Sequence, residues 1–291
     1  MVGAAERRGV AQHARSEVEP GRKWSRTRGV DGWCGAGACG WDAWRVTDEE
    51  GAAGEAPARM QDASRDEGPQ FALPMVIRVE RAAPPARTDA LEGAARGVLL
   101  FLSDPRVTEA GGEWAAAARA WEDARIRKVV RRARGAAWER ARALPGITVA
   151  RGTAEVRVYP PVPVDDWPAD LARLQVSGTD FADPTPPGDV ADGVPVLWLN
   201  PELPMSTGKA MAQVGHGVQL AWWELEPTVR SKWKDVEFDL RVRTAGVAQW
   251  KELLASGLPV VTDGGFTEVA PGSATVVADH PALRAGLSSR S

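Results

Sequence analysis

The sequence is short of the side chains that metal and redox sites are usually built from: only two of its 291 residues are cysteine and three are histidine. Cys34 and Cys39 are too few for a disulfide framework. Their C-x4-C spacing, with only His13 nearby, lacks the paired ligands of a zinc site, so neither a metal nor a cofactor is expected. Long apolar runs are missing too. The best, GVLLFL (97–102) and VPVLWL (194–199), fall far short of the ~20 residues that span a bilayer. The opening MVGAAERRGVAQHARSE carries charge where a signal peptide carries its apolar core. A cytoplasmic protein with no membrane partner is the expectation. No G-x-S-x-G segment occurs, which argues against an acyl-enzyme built on a serine elbow.

What is present is a globular composition, 44% hydrophobic and 26% charged, with charge distributed unevenly. The formal net charge is −3, yet residues 75–160 carry 16 basic against 10 acidic side chains. Residues 161–192 carry one arginine and seven aspartates. One cationic segment inside an acidic protein points to a polyanionic partner.

Residues 1–73 show no sustained hydrophobic period and read as a disordered tail, with Met60 and Met75 as alternative starts. From Met75 the texture changes: MVIRVE alternates like a strand. Residues 161–193, rich in Asp and Pro, read as a linker between domains at 75–160 and 194–288. The two domains resemble each other. At an offset of 112, residues 121–152 match 233–264 at ten of 32 positions, including Trp121/Trp233 and Trp138/Trp250. Upstream, VIRVE and RGVLL lie over VLWLN and HGVQL at an offset of 120. The repeat splits a long basic stretch into helix, strand (about 125–132) and helix, with Lys128 breaking the apolar alternation. Each half then runs strand, helix, short helix, strand, helix, strand and a final strand. The fold class expected is α/β: a mixed sheet with helices packed on it, in two tandem copies, the first degenerate. A pseudo-dimer of the halves is one arrangement the repeat allows.

Chemistry concentrates in the second half. Ser206 or Thr207 can cap a helix that opens with Gly208 and Lys209. A cation in a first helical turn opposes the dipole, so Lys209 calls for an anionic neighbour. Gln213 and His216 follow at i+4 and i+7 on the same face. Further on, TDGGFTEVAPGSATVV places Asp263 at a strand end, then Gly265, Thr267, Gly272, Ser273 and Thr275 around a turn. Strand ends beside turns are where open α/β sheets put their sites. The same residues also suit an Asx-turn with ordinary turn hydroxyls.

Together, PMSTGKAMAQVGHG and TDGGFTEVAPGSATVV resemble the archaeal/eukaryotic-type peptidyl-tRNA hydrolases over about 194–283. The resemblance implies hydrolysis of the ester joining a peptide to the 3′-terminal ribose of tRNA. It carries the family's catalytic positions onto Lys209, Asp263, Thr267 and Thr275. Gln213, His216, Gly208, Gly265, Gly272 and Ser273 become supporting positions. Two features depart from the family pattern: Phe266, where an arginine is common, and VGHG in the helix. A non-catalytic RNA- or protein-binding member of the same fold is the alternative. In the first half, Asp89 stands at the Lys209 position, Gly93 at Gln213, Arg96 at His216, Arg151 at Asp263 and, with one gap, Ala154 at Thr267. That copy has lost the chemistry. Its run of Arg125, Arg127, Lys128, Arg131, Arg132 and Arg134 is expected to grip tRNA phosphates, a solvated face being the other reading.

Overall fold

The computed structural model describes residues 68–265 and 268–289, which fold into two mixed sheets with helices packed on them. The first half comprises β1 (Phe71–Arg78), α1 (Arg87–Leu102), α2 (Pro105–Thr108), α3 (Ala115–Asp123), β2 (Arg127–Ala133), α4 (Gly135–Arg142), β3 (Ile147–Arg151) and β4 (Ala154–Val158). Between the halves lie β5 (Val162–Pro163) and α5 (Ala169–Ala172). The second half comprises β6 (Val196–Leu199), α6 (Thr207–Glu224), α7 (Pro227–Asp235), β7 (Arg241–Thr244), α8 (Val247–Ala255), β8 (Val260–Thr262), β9 (Ala274–Asp279) and α9 (Pro281–Ser288).

The two sheets have the same strand order and directions. The first runs β2-β1-β4-β3 and the second β7-β6-β9-β8. In each, the first two strands pair in parallel and the other pairings are antiparallel. One ladder row reads Arg131, Val76, Arg157, Thr148; its counterpart reads Arg243, Trp198, Val277, Val260. Arg131 to Arg243 and Thr148 to Val260 both keep the offset of 112. Val76 to Trp198 needs 122, so the opening strands match two residues away from where their sequences suggest. The paired tryptophans also behave alike. Trp121 Nε1 donates to the Arg127 carbonyl and Trp233 Nε1 to the Asp239 carbonyl, each at 2.9 Å.

The boundary expected at 73–75 falls inside a strand. β1 begins at Phe71, and Leu73 is fully buried, because this run completes a central strand paired with β2 and β5. Residues 161–193 are likewise more than a linker. β5 pairs with β1, Leu171 is buried, and Arg132 forms an isolated bridge with Gln175. The alternation of Phe238, Leu240 and Val242 becomes strand only from Arg241. Glu237 and Phe238 take left-handed φ of 53° and 56°, which folds Phe238 into the core ahead of β7.

The halves share one continuous apolar core, in which Val98 of α1 and Met211 and Val214 of α6 are fully buried. Each such side chain contributes about 1.5–3 kcal/mol. Glycines let the two long helices approach their sheets. A Cβ at Gly97 would lie 2.7 Å from Val158 Cγ2, and one at Gly217 would lie 2.9 Å from Val276 Cγ1. Polar bonds also join the halves: Arg87 to Thr207 Oγ1 (3.0 Å), Arg96 to Glu237 (2.6 Å) and Glu92 to Arg243 (3.2 Å).

The acidic segment between the halves caps both long helices. Asp180 accepts from Thr207 N (3.1 Å) at the start of α6. Asp183 accepts from Thr88 N (2.7 Å) and Thr88 Oγ1 (2.8 Å) at the start of α1. Both satisfy N–H groups that a helix start leaves without partners.

Candidate active site

Four side chains converge where α6 begins and β8 ends. Ser206 caps α6, its Oγ accepting from Lys209 N at 3.2 Å, and this sets Lys209 in the first turn. Asp263 directly follows β8. Its backbone bonds, N to Ser273 O (2.9 Å) and O from Gly272 N (2.8 Å), pin it across the turn that leads to β9. Gly265 and Gly272 have φ of 78° and 81°, a region that favours glycine. A Cβ at Gly265 would collide with Pro271 at 2.3 Å, so the turn closes only without one.

Lys209 Nζ donates to Asp263 Oδ2 at 2.6 Å, and Gln213 Nε2 donates to the same oxygen at 2.7 Å. Asp263 Oδ1 accepts from Gly265 N at 2.8 Å. The Asx-turn and the ionic site are therefore one carboxylate in two roles. Both charged side chains are largely enclosed, at 10% and 8% exposure, where unpaired charge is costly. Thr275 Oγ1 donates to Gln213 Oε1 at 2.6 Å. The carboxylate orients the amide: Asp263 can only accept, so Nε2 faces it and Oε1 is left to accept from Thr275.

Several expected roles change. Thr275 is fully buried, with its hydroxyl facing Gln213 Oε1 and the Val261 carbonyl (3.3 Å). Gly208 serves packing: Thr179 O accepts from its N–H at 2.9 Å, and a Cβ there would meet Thr179 Cβ at 3.2 Å. Ser273 contributes its backbone carbonyl to Asp263 N. Thr267, together with Phe266, lies outside the described residues.

His216 does not join the Asp263 cluster. Its Nδ1 lies 3.3 Å from Nζ of Lys128, which reaches across from β2 of the other half. Burial, and then the charges of Lys128 and Lys209, hold its imidazole well below the ordinary histidine range. Lys128 Nζ also donates to Gln219 Oε1 (2.6 Å) and Ile126 O (3.3 Å). Burial draws the Lys128 ammonium well below the ordinary lysine range, with the Glu122 carboxylate opposing. Burial likewise raises Glu122, against hydrogen bonds from Trp223 and Gln219.

Lys128 was assigned by sequence to a phosphate-gripping run, and that assignment fails: it is 8% exposed and faces the interior. The cations around it do not form one face. Arg131 donates to the carbonyls of Ala172 and Leu174 and lies 4.5 Å over the Trp167 ring. Arg132 donates to Gln175 Oε1 at 2.7 Å. Both fasten the segment after β5 onto the edge strand. Arg134 is exposed, and Arg125 and Arg127 are partly so.

The first half's counterpart has its charges reversed and partnered differently. Arg151 binds Glu92 at 2.7 Å, while Asp89 accepts from Thr153 N (2.7 Å) and Oγ1 (2.8 Å). Ladder register sets Ala154 level with Ala274, not Thr267, which makes Glu155 the counterpart of Thr275.

Sequence reasoning missed Glu122, Gln219 and Glu268. Glu268 accepts from Ser206 N (2.8 Å) and Oγ (2.7 Å), tying the turn to the start of α6. The signal for Lys128 was visible in its interruption of an apolar strand. A cleft of about 670 Å³ is lined by residues 187–194 with Trp198, Arg243, Asp279 and Arg284, and not by these four side chains. Among the described residues, no three His, Cys, Asp or Glu side chains gather where they could hold a metal ion. No helix there is long and apolar enough to cross a membrane. A scan against protein-family models found no match, and a search of curated proteins found no similar sequence.

Proposed function

We propose that the chain is a peptidyl-tRNA hydrolase, cleaving the ester between a peptide and the 3′-terminal ribose of tRNA by direct attack of water. The observation that carries this reading is the convergence of Lys209, Gln213 and Asp263 within hydrogen-bonding distance. These are the groups that the family resemblance singles out. Ester hydrolysis needs a proton acceptor for the attacking water and positive charge near the tetrahedral oxyanion. Asp263 Oδ2 is occupied by two donors. Oδ1 takes one backbone donor and retains a lone pair, and this is the position from which it accepts the water proton; as the acyl C–O bond breaks, that proton passes to the departing 3′-ribose oxygen. Lys209 supplies positive charge at the same point. Gln213, itself held by Thr275, holds the carboxylate still, and Thr267 would position water or the ribose.

We further propose that the halves descend from one duplicated domain and pack as a pseudo-dimer. The common strand order, the two ladder rows that keep the offset of 112 and the matched tryptophan bonds support that origin. On this reading the first copy has no proton acceptor at the Asp263 position, since Arg151 stands there. Its grip on tRNA falls to Arg125, Arg127 and Arg134.

The test is incubation of the full chain with N-blocked aminoacyl-tRNA and with free aminoacyl-tRNA. Selective deacylation of the blocked form is expected. Binding without release would replace the enzyme by a non-catalytic RNA-binding member of the fold, and indifference to the tRNA moiety would point to another ester.

A further inference from the structure

Lys128 of the first half reaches the middle of the polar face of α6, beside His216 and Gln219. Its stem crosses that helix at Gly215, where a Cβ would lie 2.9 Å from Lys128 Cδ and 3.3 Å from Cε. VGHG, a departure from the family pattern, thus opens the passage through which the first half touches the second half's motif helix. Along that face Lys209, Gln213, His216, Gln219 and Trp223 recur at helical spacing. The first two bind Asp263, and the last two bind Glu122. His216 sits between these groups, facing Lys128.

We infer that Lys128 is a positioning residue for the site, fixing His216 as the neutral tautomer with its hydrogen on Nε2. Gln219 Oε1 and the Ile126 carbonyl take two hydrogens of Nζ, and only a charged ammonium has a third for His216 Nδ1. Burial opposes that charge; the Trp121 ring, 4.7 Å from Nζ, and the neighbouring Glu122 carboxylate favour it. An ammonium has no lone pair, so Nδ1 must accept and Nε2 must carry the hydrogen. His216 is thereby a fixed donor one turn along α6 from Gln213. The charged groups bearing on it are Lys128 from β2 and Lys209 from its own helix, with Glu122 of α3 behind Lys128. This assignment rests on the hydrolase reading for its catalytic meaning, but not for its geometry.

The experiment is long-range ¹H–¹⁵N NMR of the full chain labelled at its three histidines, with kinetics on N-blocked aminoacyl-tRNA in parallel. His216 should show the Nε2–H tautomer unchanged from pH 5.5 to 8. In Lys128→Met the ring should no longer be held to one tautomer and its midpoint should rise, while burial and Lys209 still keep it below the ordinary histidine range, and kcat should fall about tenfold with little change in KM. In a His216→Gln background, whose amide donor has no tautomer to choose, the same substitution should cost less than about twofold. Should Lys128→Met fail to fold, Lys128→Gln keeps a polar head that can either donate or accept, removes the ammonium and should free the tautomer in the same way. A wild-type His216 that titrates near ~6.5 or carries its hydrogen on Nδ1 would overturn the inference, as would equal Lys128→Met losses in both backgrounds. A fixed tautomer in a chain that hydrolyses no ester would sink the enzyme reading and leave the geometry standing.

Discussion

Asp263→Asn separates catalysis from stability at the proposed centre. The substitution keeps the shape and removes the charge. The amide oxygen must lie at the Oδ2 position, where Lys209 and Gln213 both donate, because an NH₂ group there would meet two donors. The NH₂ then faces Gly265 N at the Oδ1 position, so the Asx-turn bond is lost and no proton acceptor remains for water. Breaking an enclosed ion pair costs about 3–5 kcal/mol. Here the retained oxygen keeps two bonds, so a loss near ~3 kcal/mol is expected. For a domain of this size that is a fall in Tm of about 6–10 °C. Deacylation of N-blocked aminoacyl-tRNA should drop roughly 10²–10³-fold. The control is Asp263→Asn with Lys209→Met, which removes both charges. It should recover much of the stability, since no unpaired cation is left, while the rate stays low. Turnover within threefold of wild type, alongside the expected fall in Tm, would make the pair a structural bridge and refute the mechanism.

Other substitutions probe the supporting contacts. Thr275→Val leaves Gln213 Oε1 without its donor, costing about 1–3 kcal/mol; kcat should fall with KM unchanged, since Thr275 is buried against Gln213. Arg131→Ala should lower Tm by loosening residues 172–174 and leave the salt dependence of tRNA binding unchanged, whereas Arg127→Gln with Arg134→Gln should flatten it. A chain starting at Met75 loses Phe71–Pro74 of β1 and their pairing with β2 and β5; it should precipitate or melt early, where a chain starting at Gly68 does not. Burial against Trp233 pushes His280 down to about 4. The unfolded chain binds that proton near ~6.5 and the folded chain only near 4. Stability should therefore decline as pH falls through that window, by up to roughly 3 kcal/mol. His280→Asn, which can still accept from Ala282 N, should flatten that slope in denaturant titrations.

The convergence of Lys209 and Asp263 was legible because local rules place each of them. A capping serine sets the lysine in the first turn, and a strand end with two glycines sets the aspartate. The strand within the basic stretch was legible only through its resemblance to residues 238–244, since alone its arginines suit a helix. What could not be read was the direction of individual side chains across a tertiary contact. Lys128 and Arg134 belong to the same run of charge, yet one is enclosed beside α6 and the other faces solvent. That difference depends on Gly215, 87 residues further along the chain. Thr275 is a catalytic position only by the family resemblance, which carries a place in the chain and not an exposure. Its burial follows from the place of β9 inside the sheet, where Thr275 to Ala278 are buried on both faces. The acidic segment read as a linker because composition does not reveal that two of its aspartates are helix caps.

Those two caps have a mechanical consequence. Asp180 and Asp183 sit three residues apart and hold the starts of the two longest helices, so one short clip fastens both halves. A protease nick beside it would free both helix ends together, and the halves should come apart in a single melting step. The same clip leaves the positive end of α6 already engaged, so an incoming phosphate would have to be met by side chains rather than by the helix itself.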